Sequence, residues 1–275
     1  MRMRLSARIA VYVLVGVSVL VVLFPLLWMV AAALKTNAEI INPDAPLIPT
    51  HLQWSNLPAA WNTAPFGRFF INTAVFSVVT TAGQIVTGML AGYAFAMFDF
   101  PLKRVLFYVV LSGLMIPFTV VLVPVVQLLA DVNWVNTYQG LIVPNLASAL
   151  GCFLYRQFFL SAPLELGEAA RIDGASEWRI FLRVYCPLAQ PMTAAFMIIA
   201  FLQNWNNFLF PLVVTSSEKL MMISQGLTIF EGQISRVTYN LLMAGSLIAV
   251  IPVLVVAMIA QRRVVEGLTL GAVRA

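Results

Sequence analysis

Charge is the scarcest feature of this sequence. Only 10% of its 275 residues are charged and 61% are hydrophobic, whereas an ordinary soluble domain carries about 25% charged residues. A soluble fold of this length needs a charged surface, and this chain lacks the residues to build one. The composition therefore excludes a soluble protein and leaves no room for a second, soluble domain.

Cysteine and histidine are also scarce, which removes several kinds of site. Cys152 and Cys186 show neither the clustered spacing of a disulfide framework nor a CxxC zinc motif. His51 stands alone, and we find no nucleophile–base set. The basic residues form no aromatic-interleaved stripe of the kind that binds nucleic acid. We therefore predict no catalytic residue, no metal, no cofactor, no nucleic-acid partner and no enzymatic activity of the chain itself.

Long uncharged runs recur along the chain. A bilayer core needs about 20 apolar residues per helix, and lipid cannot satisfy open backbone groups, so each span must be helical. The first run is too long for a signal peptide, so we expect a retained helix. The sequence predicts an all-α membrane protein with six transmembrane helices in one domain, residues 1–275. The predicted spans cover about 9–34, 71–98, 105–130, 138–159, 191–214 and 239–260.

The distribution of lysine and arginine predicts the orientation of these spans. An even number of spans places both termini on the same side of the membrane. Of the 16 lysines and arginines, 12 would lie on that side and 4 on the other. Because cytoplasmic loops carry the excess of basic residues, both termini are predicted to be cytoplasmic.

The longest predicted cytoplasmic segment, residues 161–190, has the pattern of two short helices. Pro163 suits the first position of a helix, and Glu165 and Glu168 fall in its opening turns, where negative charge suits the helix dipole. Gly174 stands where a left-handed helix cap would place a glycine. Ser176 is predicted to cap a second helix, which would end near Pro187.

The second predicted helix carries an apolar stripe. Four apolar residues have the spacing i, i+3, i+4, i+7 of one helix face: Trp178, Phe181, Leu182 and Tyr185. On this pattern alone the two helices could equally lie in the lipid interface. The small and acidic Glu168-Ala169-Ala170 stretch suits a close-packed protein surface better than a lipid-facing one. We expect the stripe to pack on the protein's own helices and the Glu-Ala-Ala face to meet a partner.

This segment resembles the EAA loop of the permease subunits of binding-protein-dependent ABC importers. The resemblance rests on Glu168-Ala169-Ala170, then Gly174 after three residues, and Cys186-Pro187 near the end. Val184 and Cys186 stand where the motif has isoleucine and leucine, which are modest departures. The stretch 156–176 and the C-terminal residues 261–269 are similar to the carbohydrate-uptake branch, the maltose-type second permease. The resemblance extends over essentially the whole chain.

The resemblance implies a type I ABC importer permease fold in a bacterial cytoplasmic (inner) membrane. It implies that the 161–190 segment, the coupling loop, fits a cleft on an ATPase subunit, and that the cytoplasmic tail 261–275 also touches the ATPases. Its implied partners are a second homologous permease, two ATP-binding subunits and an extracytoplasmic solute-binding protein, besides membrane lipid. The implied coupling residues are Glu168, Ala169, Ala170, Arg171, Asp173 and Gly174.

Two features bear on energy and the solute path. The chain has no G-x-x-x-x-G-K-[ST] phosphate cradle, so ATP would be bound by another polypeptide. The fifth predicted span contains four amides and a tryptophan in sequence, which at membrane depth must face protein or water. These residues either line a translocation pathway or form interhelical hydrogen bonds. They are Gln203, Asn204, Trp205, Asn206 and Asn207.

The solute is indicated only by resemblance. Residues 62–68 and 153–159 look like the glycerol-phosphate permease of this branch, which implies sn-glycerol 3-phosphate or a glycerophosphodiester. A sugar such as maltose or trehalose is the alternative within the class. An ion-coupled secondary carrier is the alternative of another class. Such carriers usually bury ionisable residues at the membrane midplane, and the central parts of these spans are uncharged.

Overall fold

The fold is helical throughout the part of the chain that the structure describes. The structure is a computed structural model, which describes the backbone of residues 5–232 and 237–272. Every regular element in those residues is a helix, which confirms the predicted all-α class. In chain order the helices are α1 (Leu5–Ala33), α2 (Asn37–Ile41), α3 (Asn56–Thr63), α4 (Phe66–Met97), α5 (Lys103–Met115), α6 (Phe118–Asp131), α7 (Tyr138–Ile142), α8 (Ala149–Leu160), α9 (Glu165–Ile172), α10 (Glu177–Ile180), α11 (Cys186–Leu188), α12 (Gln190–Trp205), α13 (Leu209–Val214), α14 (Ile223–Leu227), α15 (Ile229–Gly232) and α16 (Tyr239–Ala272).

Three helices are long and apolar enough to cross a membrane as single elements. They are formed by Val11–Ala33, Phe66–Met97 and Tyr239–Ile259, and they correspond to the first, second and sixth predicted spans. Two further helix pairs pass the same test together but are bent, so the described residues contain up to five candidate spans. The count of six stays a prediction.

The third predicted span, 105–130, is wrong as a single helix. Helices α5 and α6 meet at an angle of 103°. The break lies at Pro117, which has no N–H and disfavours the helical region for the residue before it. Ile116 is accordingly extended, with ψ 117°. A membrane-length apolar run therefore does not guarantee an unbroken helix.

The fourth and fifth predicted spans, 138–159 and 191–214, are also interrupted. Helix α7 passes into a 3₁₀ turn, Val143–Asn145, that contains Pro144, and α8 begins afresh where Ser148 caps it. Helix α12 ends at Trp205 and α13 begins at Leu209. In a continuous helix the Pro211 ring would clash with the carbonyl four residues earlier, which accounts for the second interruption.

The chain forms two compact units. The first comprises Met1–Gly67 and Ile223–Ile251, and the second comprises Arg68–Met222 and Pro252–Ala275. The single permease domain over residues 1–275 stays a prediction. The coupling loop and the amide cluster both belong to the second unit.

In the first unit, hydrogen bonds hold the chain that follows α1. The buried Lys35 donates from Nζ to the Pro46 carbonyl at 2.5 Å. Its ammonium also lies 5.0 Å from the centre of the Trp28 ring, in a cation–π contact. The Asn56 side chain donates to the carbonyls of Ala33 and Lys35. These bonds tie Pro46 and Asn56 to the residues at the end of α1.

A reciprocal capping box begins α2 in the same unit. The Thr36 hydroxyl accepts from the Glu39 N–H at 3.2 Å, and the Glu39 carboxylate accepts from the Thr36 N–H at 2.9 Å. Thr50 donates to the same carboxylate at 2.6 Å. These hydrogen bonds, the one from Thr50 foremost, lower the pKa of Glu39 from 4.5 to about 2. The carboxylate therefore stays charged at acidic pH values at which an ordinary glutamate would be protonated, and the cap stays closed there.

In the second unit, polar side chains of α4 satisfy the backbone at the Pro144 break. Gln84 donates to the Asn145 carbonyl at 2.9 Å, and Thr87 donates to the Leu146 carbonyl at 2.8 Å. Broken helices are tolerated at membrane depth only where neighbouring groups satisfy the freed backbone in this way. Helix α4 therefore stabilises the interrupted segment between α7 and α8 by hydrogen bonds.

Candidate functional site

The coupling loop folds as a helical hairpin that begins with α9. The three charged residues of this helix match its dipole, because Glu165 and Glu168 lie in the first turn and Arg171 in the last. The predicted first helix is confirmed, and it begins two residues after Pro163.

A Schellman motif ends α9 at the predicted position. The Ala175 N–H donates to the Ala170 carbonyl at 2.9 Å, and the Gly174 N–H donates to the Arg171 carbonyl at 3.0 Å. Gly174 has φ +79°, a left-handed conformation that a side chain disfavours. The predicted glycine cap is confirmed, and it sets the sharp turn between α9 and α10.

The second helix differs from its prediction in two ways. Ser176 occupies the cap position of α10 but makes no capping hydrogen bond. The predicted stripe is wrong for two of its four members, because Trp178 is 64% exposed and Leu182 58% exposed. A π-helical turn, Phe181–Tyr185, follows α10 directly and contains Leu182. Its i→i+5 hydrogen bonds shift the register, so spacing based on 3.6 residues per turn no longer identifies one face.

The buried side chains of this π turn form an aromatic cluster with residues of two other helices. We define the cluster as Tyr93 of α4, Phe159 of α8, Phe181 and Tyr185. The Tyr93 ring centre lies 5.5 Å from that of Phe159, 4.9 Å from that of Phe181 and 5.3 Å from that of Tyr185. Aromatic pairs at these distances contribute about 0.5–1.5 kcal/mol each beyond their buried area. The cluster therefore connects the coupling loop to α4 and α8.

Gly167 is a site residue that the sequence analysis missed. It is buried, and a Cβ at this position would lie 2.7 Å from the Tyr185 hydroxyl and 3.3 Å from its ring. Helix α9 therefore rests directly on Tyr185. The available signal was an isolated glycine inside a helical pattern, which often marks close packing.

The Glu-Ala-Ala motif divides between two surfaces. Glu168 and Ala169 are exposed, as is Asp173. Ala170 is partly buried and packs, with Ala175, against the hydrophobic core that contains the aromatic cluster. The hairpin thus presents the first two residues of the motif outward and uses the third to hold itself in place.

Arg171 is paired within the chain. Its Nε donates to Glu177 Oε1 at 2.6 Å and its Nη2 donates to Oε2 at 3.2 Å. Both side chains are a little under half exposed, and the hydrogen bond that Arg171 donates to Glu177 raises the pKa of Arg171. The pair joins the last turn of α9 to the first turn of α10.

In the amide cluster, Asn204 and Trp205 point into the second unit. Asn204 is buried and its Nδ2 donates to Thr81 Oγ1 and to Gln84 Oε1, both at 3.1 Å. The buried Trp205 contacts Phe70 edge-on and stacks on Phe201, with ring centres 5.4 and 5.5 Å apart. Asn204 thus joins α12 to α4 by interhelical hydrogen bonds. Trp205 joins the same two helices through its contact with Phe70.

The other three amides lie at the helix break or on the surface. Gln203 lies in the last turn of α12 and Asn206 directly follows its end, and both are exposed. Asn206 donates from Nδ2 to the Leu202 carbonyl at 3.0 Å, and Asn207 Oδ1 accepts from the Phe210 N–H at 3.4 Å. The structure therefore separates the cluster into a buried part, a part that stabilises the break and an exposed part.

Two further predictions concern metal ions and the C-terminal tail. Within the described residues, no group of three or more His, Cys, Asp or Glu side chains lies together as a metal ion would require. The contact predicted for the tail 261–275 lies outside the description, because residues 273–275 and the side chains of 260–272 are not part of it.

These features agree with a match to a protein family. Residues 84–269 match the model of the "Binding-protein-dependent transport system inner membrane component". The match covers more than half of the chain, and the chain belongs to this family. It is thus a membrane-embedded transport component.

The chain is also similar to individual proteins and to a solved structure. The chain is 37% identical over 264 residues to the sn-glycerol-3-phosphate transport system permease protein UgpE of Pectobacterium atrosepticum, covering 94% of each protein. It is 34% identical to the diacetylchitobiose uptake system permease protein NgcG of Streptomyces coelicolor, covering 92% of this chain and 85% of that one. A chain of a bacterial ABC transporter for the acidic polysaccharide alginate has the same fold, with a TM-score of 0.84, 20% identity and coverage of 95% and 99%. The predicted importer permease fold is confirmed.

Proposed function

We propose that this chain is a permease subunit of an ATP-driven, binding-protein-dependent importer and has no ATPase site of its own. One observation carries the proposal: the hairpin presents Glu168 and Ala169 outward while the aromatic cluster holds it against α4 and α8. A short helix that exposes small and acidic residues suits insertion into a groove of a partner. The coupling residues are Glu168, Ala169, Ala170, Asp173 and Gly174, with Arg171 acting within the hairpin.

The partners follow from this arrangement. Two ATP-binding subunits would take up the hairpin of this chain and that of a second, homologous permease. An extracytoplasmic solute-binding protein would deliver the solute. The similarity to a chain of a bacterial ABC transporter involved in the import of alginate, over 95% of this chain, supports the same kind of assembly. Both termini would be cytoplasmic, with six spans counted across the broken segments.

The mechanism is a rigid-body movement of the hairpin. ATP binding closes the ATPase subunits, which displaces the α9 helix that is seated in them. Gly167 lies directly on Tyr185, so the displacement passes into the aromatic cluster and from there to α4 and α8. Packed interfaces switch between discrete arrangements rather than bending continuously, which suits alternation between outward-facing and inward-facing states.

The translocation pathway is proposed to run along the exposed face of α12. Gln203 and Asn206 would contact water or solute there, because exposed amides at membrane depth avoid lipid. Asn204 and Trp205 would anchor α12 to its neighbours, and Asn207 would hold the break that leads into α13. Some residues of the amide cluster would then line the pathway, and others would form interhelical hydrogen bonds.

The proposed solute is sn-glycerol 3-phosphate or a glycerophosphodiester. Similarity to the UgpE permease over 94% of both proteins supports this choice. A sugar is the second candidate, because the diacetylchitobiose permease NgcG is also similar over 92% of this chain. An ion-coupled secondary carrier would need no ATP-binding partner.

Affinity purification and uptake together test the proposal. The tagged chain, expressed with its neighbouring transport genes, is expected to retain an ATP-binding subunit and a second permease. Cells should then accumulate radiolabelled sn-glycerol 3-phosphate in preference to labelled disaccharides. Retention of no nucleotide-binding protein would refute the importer assignment. Accumulation of a disaccharide alone would refute the phosphate solute and leave the importer in place.

A further inference from the structure

We propose that the Arg171–Glu177 ion pair braces the coupling hairpin, which makes Arg171 a positioning residue and not a contact for the ATPase. The inference deepens the proposed function and rests on it. The sequence resemblance grouped Arg171 with the residues that meet the ATP-binding subunit. The structure directs its guanidinium to the next helix of the same chain.

The hairpin needs a brace because its turn is weak. Helices α9 and α10 are joined through Gly174, the residue type with the greatest backbone freedom. Two backbone hydrogen bonds close this turn. The Arg171–Glu177 pair adds a connection between side chains across it. Two parallel N–H···O bonds between a planar guanidinium and a carboxylate fix orientation as well as distance.

The geometry also leaves Arg171 poorly placed to serve a partner. Nε and Nη2 are both used on Glu177, at 2.6 and 3.2 Å. Arg179, on the same loop, is exposed and forms no ion pair within the described residues. A partner that sought an arginine would find Arg179 free, whereas recruiting Arg171 would first break an existing pair. Arg179 is therefore the matched control for charge on this loop.

The brace determines whether movement of Glu168 reaches the membrane helices. Without it, displacement of α9 could be absorbed by bending at Gly174. With it, α9 and the π turn that carries Tyr185 move together. Half-exposed pairs are screened by water and salt, so the pair shifts the closed-hairpin equilibrium by about two- to fivefold.

Hydrogen–deuterium exchange on the purified chain tests the brace without any partner. The readout is exchange in a peptide that contains the Ala175 amide, which closes the turn by bonding the Ala170 carbonyl. Arg171→Gln and Glu177→Gln should each speed exchange about two- to fivefold. The charge-swapped double variant, Arg171→Glu with Glu177→Arg, should return to within about twofold of the original chain. Arg179→Gln should not change it. Unchanged exchange in both single variants would overturn the brace.

Retention of ATP-binding subunits by the same variants tests the consequence. Both single variants should retain about two- to fivefold less of the subunit, and the charge swap should restore it. If the swap retained as little as Arg171→Gln, or if Glu177→Gln retained a normal amount, Arg171 would be a direct contact and the inference would be wrong. Full retention by Glu168→Lys would instead refute the proposed docking, and the exchange data would still decide on the brace.

Discussion

At the scale of single residues, each side chain of the coupling hairpin serves one of two surfaces. Glu168, Ala169 and Asp173 face outward, whereas Gly167 and Ala170 face the aromatic cluster. Ala169 and Ala170 are adjacent in sequence, yet the first faces outward and the second packs on the core. Substitutions on the outward side should affect partner binding, and those on the inward side should affect the stability of the hairpin.

Glu168→Lys is expected to reduce uptake more than tenfold, because it places a positive charge where the proposed ATPase cleft accepts a carboxylate, and an unpaired interface charge costs about 2–5 kcal/mol. Membrane levels of the chain should be unchanged, since Glu168 is exposed. Uptake and immunoblots measure the two effects. Glu165→Lys, an equal charge change at another exposed position of α9, is the control. Equal losses in the two variants would show that general loop charge, and not Glu168, matters.

Gly167→Ala is expected to destabilise the hairpin by about 1–3 kcal/mol, the usual cost of overpacking. Its Cβ would lie 2.7 Å from the Tyr185 hydroxyl. Tyr185→Phe removes that oxygen, so the double variant should recover part of the loss. Thermal unfolding of the purified chain in detergent measures both. A Gly167→Ala variant as stable as the original chain would contradict the close packing of α9 on Tyr185.

At the scale of elements, the helix breaks and the polar side chains of α4 belong together. Pro144 removes a backbone donor, and Gln84 and Thr87 of α4 bond the carbonyls beside it. Thr81 and Gln84 also receive the Asn204 amide just before the break at the end of α12. Polar residues of α4 that look isolated along the sequence thus form hydrogen bonds with groups at the breaks in other helices.

Asn204→Leu is expected to destabilise the chain by about 1–3 kcal/mol, because it leaves the buried Thr81 oxygen and the partly buried Gln84 oxygen without their donor. Gln203→Leu, at the exposed neighbouring position, should unfold at the same temperature as the original chain and should transport less solute. Thermal unfolding and uptake separate the two roles. Normal uptake by Gln203→Leu would count against a pathway along this face.

At the scale of the whole molecule, the arrangement of charge along the chain predicts its orientation. The exposed loop residue Ser176 would lie in the cytoplasm, and the exposed Ser55 and Ser216 would lie outside it. Both predictions follow from the excess of basic residues in cytoplasmic segments. Neither depends on how the helices are broken within the membrane.

Single-cysteine labelling measures this orientation. In a chain whose Cys152 and Cys186 are replaced by serine, Ser55→Cys and Ser216→Cys should react with a membrane-impermeant thiol reagent applied from outside. Ser176→Cys should react only after the membrane is permeabilised. Labelling of Ser176→Cys from outside, with protection of the other two, would show the opposite orientation.

The class of the protein, its apolar runs and the glycine-capped turn of the coupling loop could all be predicted from the amino-acid sequence. These depend on local properties: the length of apolar segments, helix dipoles and the left-handed conformation that Gly174 allows. The resemblance to a family added the importer assignment and the Glu-Ala-Ala motif. A motif is recognised from residue types and their spacing, which need no knowledge of contacts in three dimensions.

Which side chains of the loop are buried, and what Arg171 binds, became visible only in the folded chain. Trp178 and Leu182 are exposed. A π turn contains Leu182, and periodicity cannot anticipate a change of register that packing on Tyr93 and Phe159 stabilises. The close approach of Gly167 to Tyr185 and the Arg171–Glu177 pair likewise join residues across a turn. Such contacts depend on three-dimensional proximity, which a one-dimensional pattern does not contain.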